Sequence, residues 1–292
     1  MGFNRRLART RGTIFAVLTR VDRVLLAVPD REEVGRQWES LLDAEPDGED
    51  RVDVLGARRS VYRLGDSCVE ILEPDGSGAV SDAVSARGGH LFAAGVATPE
   101  LDKVVARLRS KGLEPALERG QAHLHPAVVR GGLPLVVSDA ATREAVGLAD
   151  FVYEVTDLRD DHAAASARYA DLLGLDASRF VPIESKQYGY TGILTLFDHS
   201  RLDRLEVITP NDHEKTMGRF FGRVGETLYM CFAESGRTGE ILERAREASA
   251  PYTGDAGGLF LHPAALGGVM LGVSRRTAAW QWSGHPERVE KL

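Results

Sequence analysis

The chain is predicted to be an α+β protein built by tandem duplication, with four copies of one strand–helix–three-strand unit. Two observations carry this. A phrase recurs near the end of each half: HLHPAVVRGGLPLVVS at 123–138 and FLHPAALGGVMLGVS at 260–274. Each copy has His-Pro, a short loop, Gly-Gly and an apolar strand ending at Ser. Upstream, HLFAAGVATPELDKVVARLR from His90 overlays TLYMCFAESGRTGEILERAR from Thr227 without a gap. Leu91 meets Leu228, Val104 meets Ile241, Val105 meets Leu242 and Arg107 meets Arg244. The same offset carries His125-Pro126 onto His262-Pro263. An offset held through a strand, a helix and a turn marks a structural repeat.

Residues 21–30 (VDRVLLAVPD) form an apolar strand ending at a Pro-Asp turn. Val34, Trp38, Leu41 and Leu42 then fall at helical spacing over 31–42. Asp30 suits the N-cap, with Glu32 and Glu33 in the first turn, where the helix dipole favours them. Strands are expected at 52–55, 59–64 and 68–72, the last ending at Glu73-Pro74-Asp75-Gly76. After Gly88-Gly89 the pattern restarts. A strand is expected at 90–96, an amphipathic helix at 101–111 closed by Gly112, and strands near 115–118, 122–125 and 133–137. Segment 139–148 is polar and irregular and reads as a linker. The first unit then returns: DFVYEVTD at 150–157 echoes 22–30, and RLEVITPND around Glu206 echoes CVEILEPD around Glu70. The expected division is a basic tail at 1–20, a first domain at 21–138, the linker at 139–148, a second domain at 149–282 and a tail at 283–292.

Of the 292 residues, 43% are hydrophobic, which argues for a globular chain rather than a disordered one. A net charge of -7 disfavours a nucleic-acid surface. No apolar run approaches the roughly 18 residues of a membrane span. Cys68 and Cys231 stand alone in apolar runs, which suits buried thiols and a reducing, cytoplasmic setting. Arg5, Arg6, Arg9, Arg11 and Arg20 precede or flank only a short apolar stretch, so the N-terminus reads as a basic tail rather than a targeting signal.

Four such units, paired two by two, resemble the vicinal oxygen chelate superfamily, which includes glyoxalase I, methylmalonyl-CoA epimerase, extradiol dioxygenases and bleomycin-resistance proteins. The resemblance covers roughly 21–282. It rests on VDRVLLAVPD as first strand, GGHLFAAGV as restart, and His-Pro, Gly-Gly and an apolar strand as closing strand. It implies two half-open barrels of curled sheet, a small-molecule substrate, and a divalent metal held by His on opening strands and Glu or Gln on closing strands. Four units already supply two barrels, so either a monomer or a homodimer is compatible.

Matched residue by residue, the metal pattern is incomplete. Arg23 stands at the first opening position, and a guanidinium has no lone pair for a metal. Glu70 and His90 match the next two positions, and Leu135 occupies the last. In the second half the opening position falls on Asp150 or Phe151, with alternation favouring Asp150. Glu206 matches, whereas Thr227 and Gly272 are not usual ligands. Two readings follow for the first half. Glu70 and His90 hold a metal while Arg23 clamps a substrate anion, or Arg23 and Glu70 pair internally in a metal-free barrel. Without metal, Glu70 and His90 remain candidates for proton transfer. Lys186, Tyr188 and Tyr190 lack first-half counterparts. All three, with Glu206, are candidates to line a second-half pocket. His125 and His262, each before Pro, suit turn stabilisation. No phosphate-cradling Gly loop or nucleophile elbow occurs. The expected activity is proton transfer next to a carbonyl, as in an isomerase, epimerase or lyase, with either no cofactor or a divalent metal. The alternative is a non-catalytic protein that sequesters a small molecule. Extradiol ring cleavage is disfavoured by the missing ligands.

Overall fold

A computed structural model describes residues 18–291. Most of the basic tail, including Arg5, Arg6, Arg9 and Arg11, lies outside the described residues. The first half runs β1 (Arg20–Ala27), α1 (Arg31–Leu42), β2 (Glu45–Val52), β3 (Ala57–Leu64), β4 (Ser67–Pro74), α2 (Ala79–Arg87), β5 (His90–Thr98), α3 (Leu101–Ser110), β6 (Ala116–Glu118), β7 (Gln121–His123) and β8 (Leu135–Asp139). The second half repeats it with β9 (Phe151–Leu158), α4 (His162–Leu173), β10 (Val181–Ser185), β11 (Tyr190–Leu196), β12 (Arg204–Pro210), α5 (Thr216–Val224), β13 (Thr227–Ser235), α6 (Thr238–Glu247), β14 (Tyr252–Asp255), β15 (Gly258–Leu261) and β16 (Met270–Arg275). Each half is one eight-stranded curled sheet, ordered β2-β3-β4-β1-β5-β8-β7-β6 and β10-β11-β12-β9-β13-β16-β15-β14. The α+β duplication is therefore present, with two units joined edge to edge in each sheet.

Strand alternation sorts side chains between two faces. Val24, Leu26, Val69, Ile71, Leu91, Leu135 and Val137 join Trp38, Leu42, Val104 and Leu108 of α1 and α3 in one apolar cluster that continues into the second half. Leu25, Ala27, Leu72, Phe92 and Val136 belong to a separate cluster on the inner, concave side. The expected helix caps are seen. The Asp30 carboxylate accepts from the Glu33 N–H at 2.8 Å, and Gly112 adopts φ +79° beyond α3.

Two sequence expectations are corrected. The strand expected at 52–55 is instead Glu45–Val52, and Asp53–Leu55 is a short 3-10 turn. The strand is an exposed edge rich in Asp and Glu, so its ladder with β3 rather than apolar patterning holds it. Helices α2 and α5 were not expected. The Ala- and Ser-rich stretch of α2 has no strong apolar stripe, and only Ala79 and Val80 are buried.

The halves are fastened by equivalent contacts. Arg107 of α3 donates to the Asp171 and Leu172 carbonyls at the end of α4. Its repeat partner Arg244 of α6 reaches Ser40 O and the Asp43 carboxylate at the end of α1, at 3.2 and 3.1 Å. A cation at a helix C-terminus is favoured by the helix dipole. The recurring Gly-Gly permits close backbone approach. A Cβ on Gly268 would lie 1.8 Å from Gly89 O across the seam, and one on Gly132 would lie 1.8 Å from Leu124 O.

Candidate functional site

The concave face of the first sheet carries a closed polar network. Arg23 Nη1 donates to Glu70 Oε1 at 2.6 Å, and its Nε and Nη2 grip the Asp22 carboxylate at 3.2 and 2.9 Å. Nη2 also reaches Ser138 Oγ at 3.1 Å. From the neighbouring strand Arg59 Nη1 donates to Glu70 Oε2 at 2.9 Å, while its other nitrogens hold Asp50 at 2.8 and 2.7 Å. Gln121 Nε2 completes the shell at 2.6 Å from Glu70 Oε1. Glu70 is 1% exposed, and both its oxygens are committed. Arg23 fits because residue 95 is glycine: a Cβ there would sit 1.8 Å from Arg23 Cγ.

His90 does not join this network. It pairs with Ala27 in the ladder, whereas Glu70 pairs with Leu25. Its Nδ1 bonds Gly88 O at 2.8 Å, and burial lowers its pKa. His123 is nearer to Glu70 electrostatically, yet both its ring nitrogens are buried without partners, and burial pushes it down to about 4. His125 stacks on Phe92 with ring centroids 3.9 Å apart, and its Nδ1 accepts from the Ala127 N–H at 3.2 Å. The latter contact is a turn-stabilising one.

Register identifies the second-half equivalents. Arg23 lies opposite Cys68 and Gly95, and Glu154 lies opposite Arg204 and Phe232. Glu154, not Asp150, therefore occupies the Arg23 position. Strand and helix keep one offset (Arg23 to Glu154, Leu42 to Leu173), and the halves differ in length only farther along, where Cys68 follows Arg23 by 45 positions and Arg204 follows Glu154 by 50; Asp150 instead sits outside β9, paired with Arg276 at 2.7 Å. The last closing position also moves by one. Val136 and Gly272, opposite His123 and Phe260, face inward, and Leu135 packs against the helices. By the same ladders Glu70 corresponds to Glu206, Arg59 to Gly192 and Gln121 to Gly258. Each of the three partners of Glu70 is thus replaced, one by a carboxylate and two by glycine.

The consequence is a cavity. The second half encloses a cavity of about 430 Å³ over its concave face, a size suited to a small molecule. Its walls are mostly apolar and aromatic, including Tyr229, Phe232, Phe260 and Met270, with Tyr188, Tyr190, Lys215 and Arg219 among the polar groups. Glu206 is the single carboxyl in the lining. Its Oε2 accepts from Thr156 Oγ1 at 2.5 Å, and Tyr190 Oη lies 3.5 Å from Oε1. Arg204 is fully buried and pairs with Glu154 at 2.5 Å. Glu206 has no bond to that guanidinium and faces the Glu154 carboxyl, which favours its protonated form. Burial first, then the Glu154 charge, pushes Glu206 up to about 8. Of the sequence candidates, Tyr188, Tyr190 and Glu206 line the cavity; exposed Lys186 does not, and its backbone carbonyl accepts from Lys215 Nζ.

Neither half offers a donor set that fits a divalent metal. In the first, the lone pairs of Glu70 are taken by two guanidiniums and an amide, and His90 is elsewhere. In the second, Arg204 holds Glu154, while Gly272 and Phe260 have no donor side chain. Among the described residues no three His, Cys, Asp or Glu side chains cluster as metal ligands.

Residues 22–128 match the family model described as the Glyoxalase/Bleomycin resistance protein/Dioxygenase superfamily. That match lies within the first half of the chain and likens that half to this superfamily. Among solved structures, a mutant 4-hydroxymandelate synthase from Streptomyces coelicolor superposes with a TM-score of 0.65 at 13% identity, covering 93% of this chain and 100% of that one. A xylose isomerase-like TIM barrel/4-hydroxyphenylpyruvate dioxygenase fusion protein gives 0.61 at 10% identity, covering 90% of this chain and 49% of that one. Methylmalonyl-CoA epimerase from Mycobacterium tuberculosis covers 44% of this chain and 89% of its own at 17% identity, with a TM-score of 0.38. No curated protein sequence matches. The first two likenesses show the paired-barrel fold over nearly the whole length of the chain. Among the described residues no helix is long and apolar enough to cross a membrane.

Proposed function

We propose that the chain is a small-molecule enzyme of the superfamily whose reaction centre is the second-half cavity. The reaction is proton transfer next to a carbonyl, as in an isomerase, epimerase or lyase. The observation that carries this reading is a single buried carboxyl, Glu206, facing a cavity of about 430 Å³ lined by apolar and aromatic groups. Glu206 takes a proton from substrate carbon and returns it. Its pKa of about 8 keeps both protonation states accessible near neutrality, as an acid–base catalyst requires. Thr156 holds one carboxyl oxygen and thereby orients the other toward the cavity. Tyr190, whose hydroxyl burial keeps protonated, is placed to donate to a developing enolate oxygen. In the first half, Arg23, Glu70 and Arg59 act as a structural plug, which moves the substrate-clamp role from Arg23 to Lys215 and Arg219.

The test is solvent deuterium incorporation. A panel of carbonyl compounds with an acidic neighbouring C–H is incubated with the protein in D2O and followed by proton NMR. Incorporation is expected with wild type and falls by about 10²–10⁴-fold in Glu206→Gln. Undiminished exchange in that variant overturns the assignment. A ligand that binds equally to both, with no exchange in either, favours sequestration, a reading supported by the apolar lining.

A further inference from the structure

Beside the Glu206 cavity, at the seam between the halves, runs a larger groove of about 1050 Å³. Thr216, Arg219, Tyr229 and Met270 line both, so the two spaces communicate. The groove wall contains Arg87 from the end of α2 and Arg219 and Arg223 from α5, together with His90, and no Asp or Glu. Arg219 and Arg223 are four residues apart, which places them on one face of the helix. In a chain of net charge -7, this is a local reversal of sign.

Among the described residues none of the three arginines lies within ion-pairing distance of a carboxylate. Arg87 Nη1 donates to Thr227 Oγ1 at 2.7 Å. Arg219 reaches the Glu214 carbonyl and Thr216 Oγ1. Arg223 lies over the Phe220 ring at 5.7 Å. Burial alone acts on Arg87 and lowers its pKa, with no carboxylate near enough to oppose it. The nearby Glu226 is already taken by Arg159 at 2.9 Å. Guanidinium groups without counter-ions, gathered along one wall, suit a multiply charged anion with planar, bidentate oxygen pairs. Phe220 and Tyr229, with ring centroids 5.1 Å apart, add an aromatic surface on the same wall.

We infer that this groove holds a phosphate-bearing tail of the substrate, most simply a diphosphate, while the reacting end enters the cavity. The inference rests on the cavity reading above and names the substrate class: a carbonyl compound carried on a phosphorylated handle. A single carboxylate would engage one arginine, whereas a diphosphate spans several. Binding energy from such a remote tail positions the reacting carbon beside Glu206.

The test is calorimetric titration of the full chain at low ionic strength with two probes, inorganic pyrophosphate and adenosine diphosphate. Pyrophosphate binding is expected to weaken roughly tenfold or more in Arg219→Ala/Arg223→Ala and in Arg87→Ala, and to weaken with added salt. Adenosine diphosphate binding more tightly than pyrophosphate, with the difference lost in Phe220→Ala, extends the site to the aromatic pair. Arg219 and Arg223 are exposed, so thermal unfolding of the Arg219→Ala/Arg223→Ala variant should match wild type, whereas Arg87→Ala also loses the bond to Thr227. The groove assignment is overturned if neither probe binds at millimolar concentration, or if the arginine variants bind as wild type does. Glu206→Gln should leave pyrophosphate affinity unchanged, which separates the two claims. Loss of exchange in that variant without arginine-dependent pyrophosphate binding sinks the groove and spares the cavity. The reverse result sinks the cavity reading and spares the anion site.

Discussion

The two sheets share strand order and register, yet one is closed by its own side chains and the other is open. Glu70 and Glu206 occupy the same ladder position. Around Glu70 stand Arg23, Arg59 and Gln121; around Glu206 the same positions hold Glu154, Gly192 and Gly258. The small residue also changes strands. Gly95 makes room for Arg23 in the first half, whereas Gly272 makes room for the Phe232 ring in the second, where a Cβ would lie 2.4 Å from Phe232 Cδ1. Duplication supplies two equivalent frames, and a handful of inward residues decides which is filled and which is left open.

The largest expected effect is Glu70→Ala. It leaves two buried guanidiniums without their shared carboxylate and should cost about 3–5 kcal/mol in urea unfolding. Glu206→Ala should cost far less at neutral pH, because a neutral carboxyl is lost. Equal costs would erase the distinction between plug and site.

The pH dependence of stability should also differ by half. Folded Glu206 titrates at about 8 and its unfolded counterpart near 4.5, so between these values the folded state holds the extra proton. Stability contributed by this group therefore falls as pH rises from about 4.5 to 8. His123 acts oppositely. Its folded value of about 4 lies below 6.5, the unfolded state binds more protons in that window, and stability rises with pH across it. Chemical unfolding from pH 4 to 9 should show the first slope vanish in Glu206→Gln and the second in His123→Phe, which borrows the residue of the equivalent position, Phe260. Unchanged slopes would contradict the burial assigned to either group.

Gly95→Ala should destabilise by about 1–3 kcal/mol through the clash with Arg23. Gly272→Ala should displace the Phe232 ring and alter ligand affinity, because Phe232 lines the cavity. The smallest effects belong to the seam. Arg107→Ala and Arg244→Ala should each cost about 0.3–1 kcal/mol, and near-equal values would support the equivalence of the two contacts.

The duplication was legible because its carriers, the Gly-Gly approaches, helix stripes and closing strands, are fold constraints that repeat. Element positions within β1, α1 and β3–β5 followed from apolar patterning. The register of the metal positions did not. Alternation points to Asp150 in place of Glu154 and to Leu135 in place of Val136, because the halves differ in length between the first helix and the closing strand and no local pattern shows where the difference falls. A charge inside an apolar strand, Glu154 in DFVYEVTD or Arg204 in RLEVITP, was the available signal for the second-half cluster. Helix α2 was hidden by weak patterning and α5, though amphipathic, by its short length, and they carry all three arginines of the seam groove. The plug around Glu70 needed long-range pairing of Arg59 and Gln121, which no local spacing reveals.

The central claim is that Glu206 is a carboxyl held near neutrality over an open cavity. It is tested most directly by the ¹³C NMR titration of side-chain carboxyls in glutamate-labelled protein, comparing wild type with Glu206→Gln. The account predicts one resonance titrating at about 8 that is absent from the variant. A Glu206 resonance titrating at the ordinary glutamate value near 4.5 would contradict it.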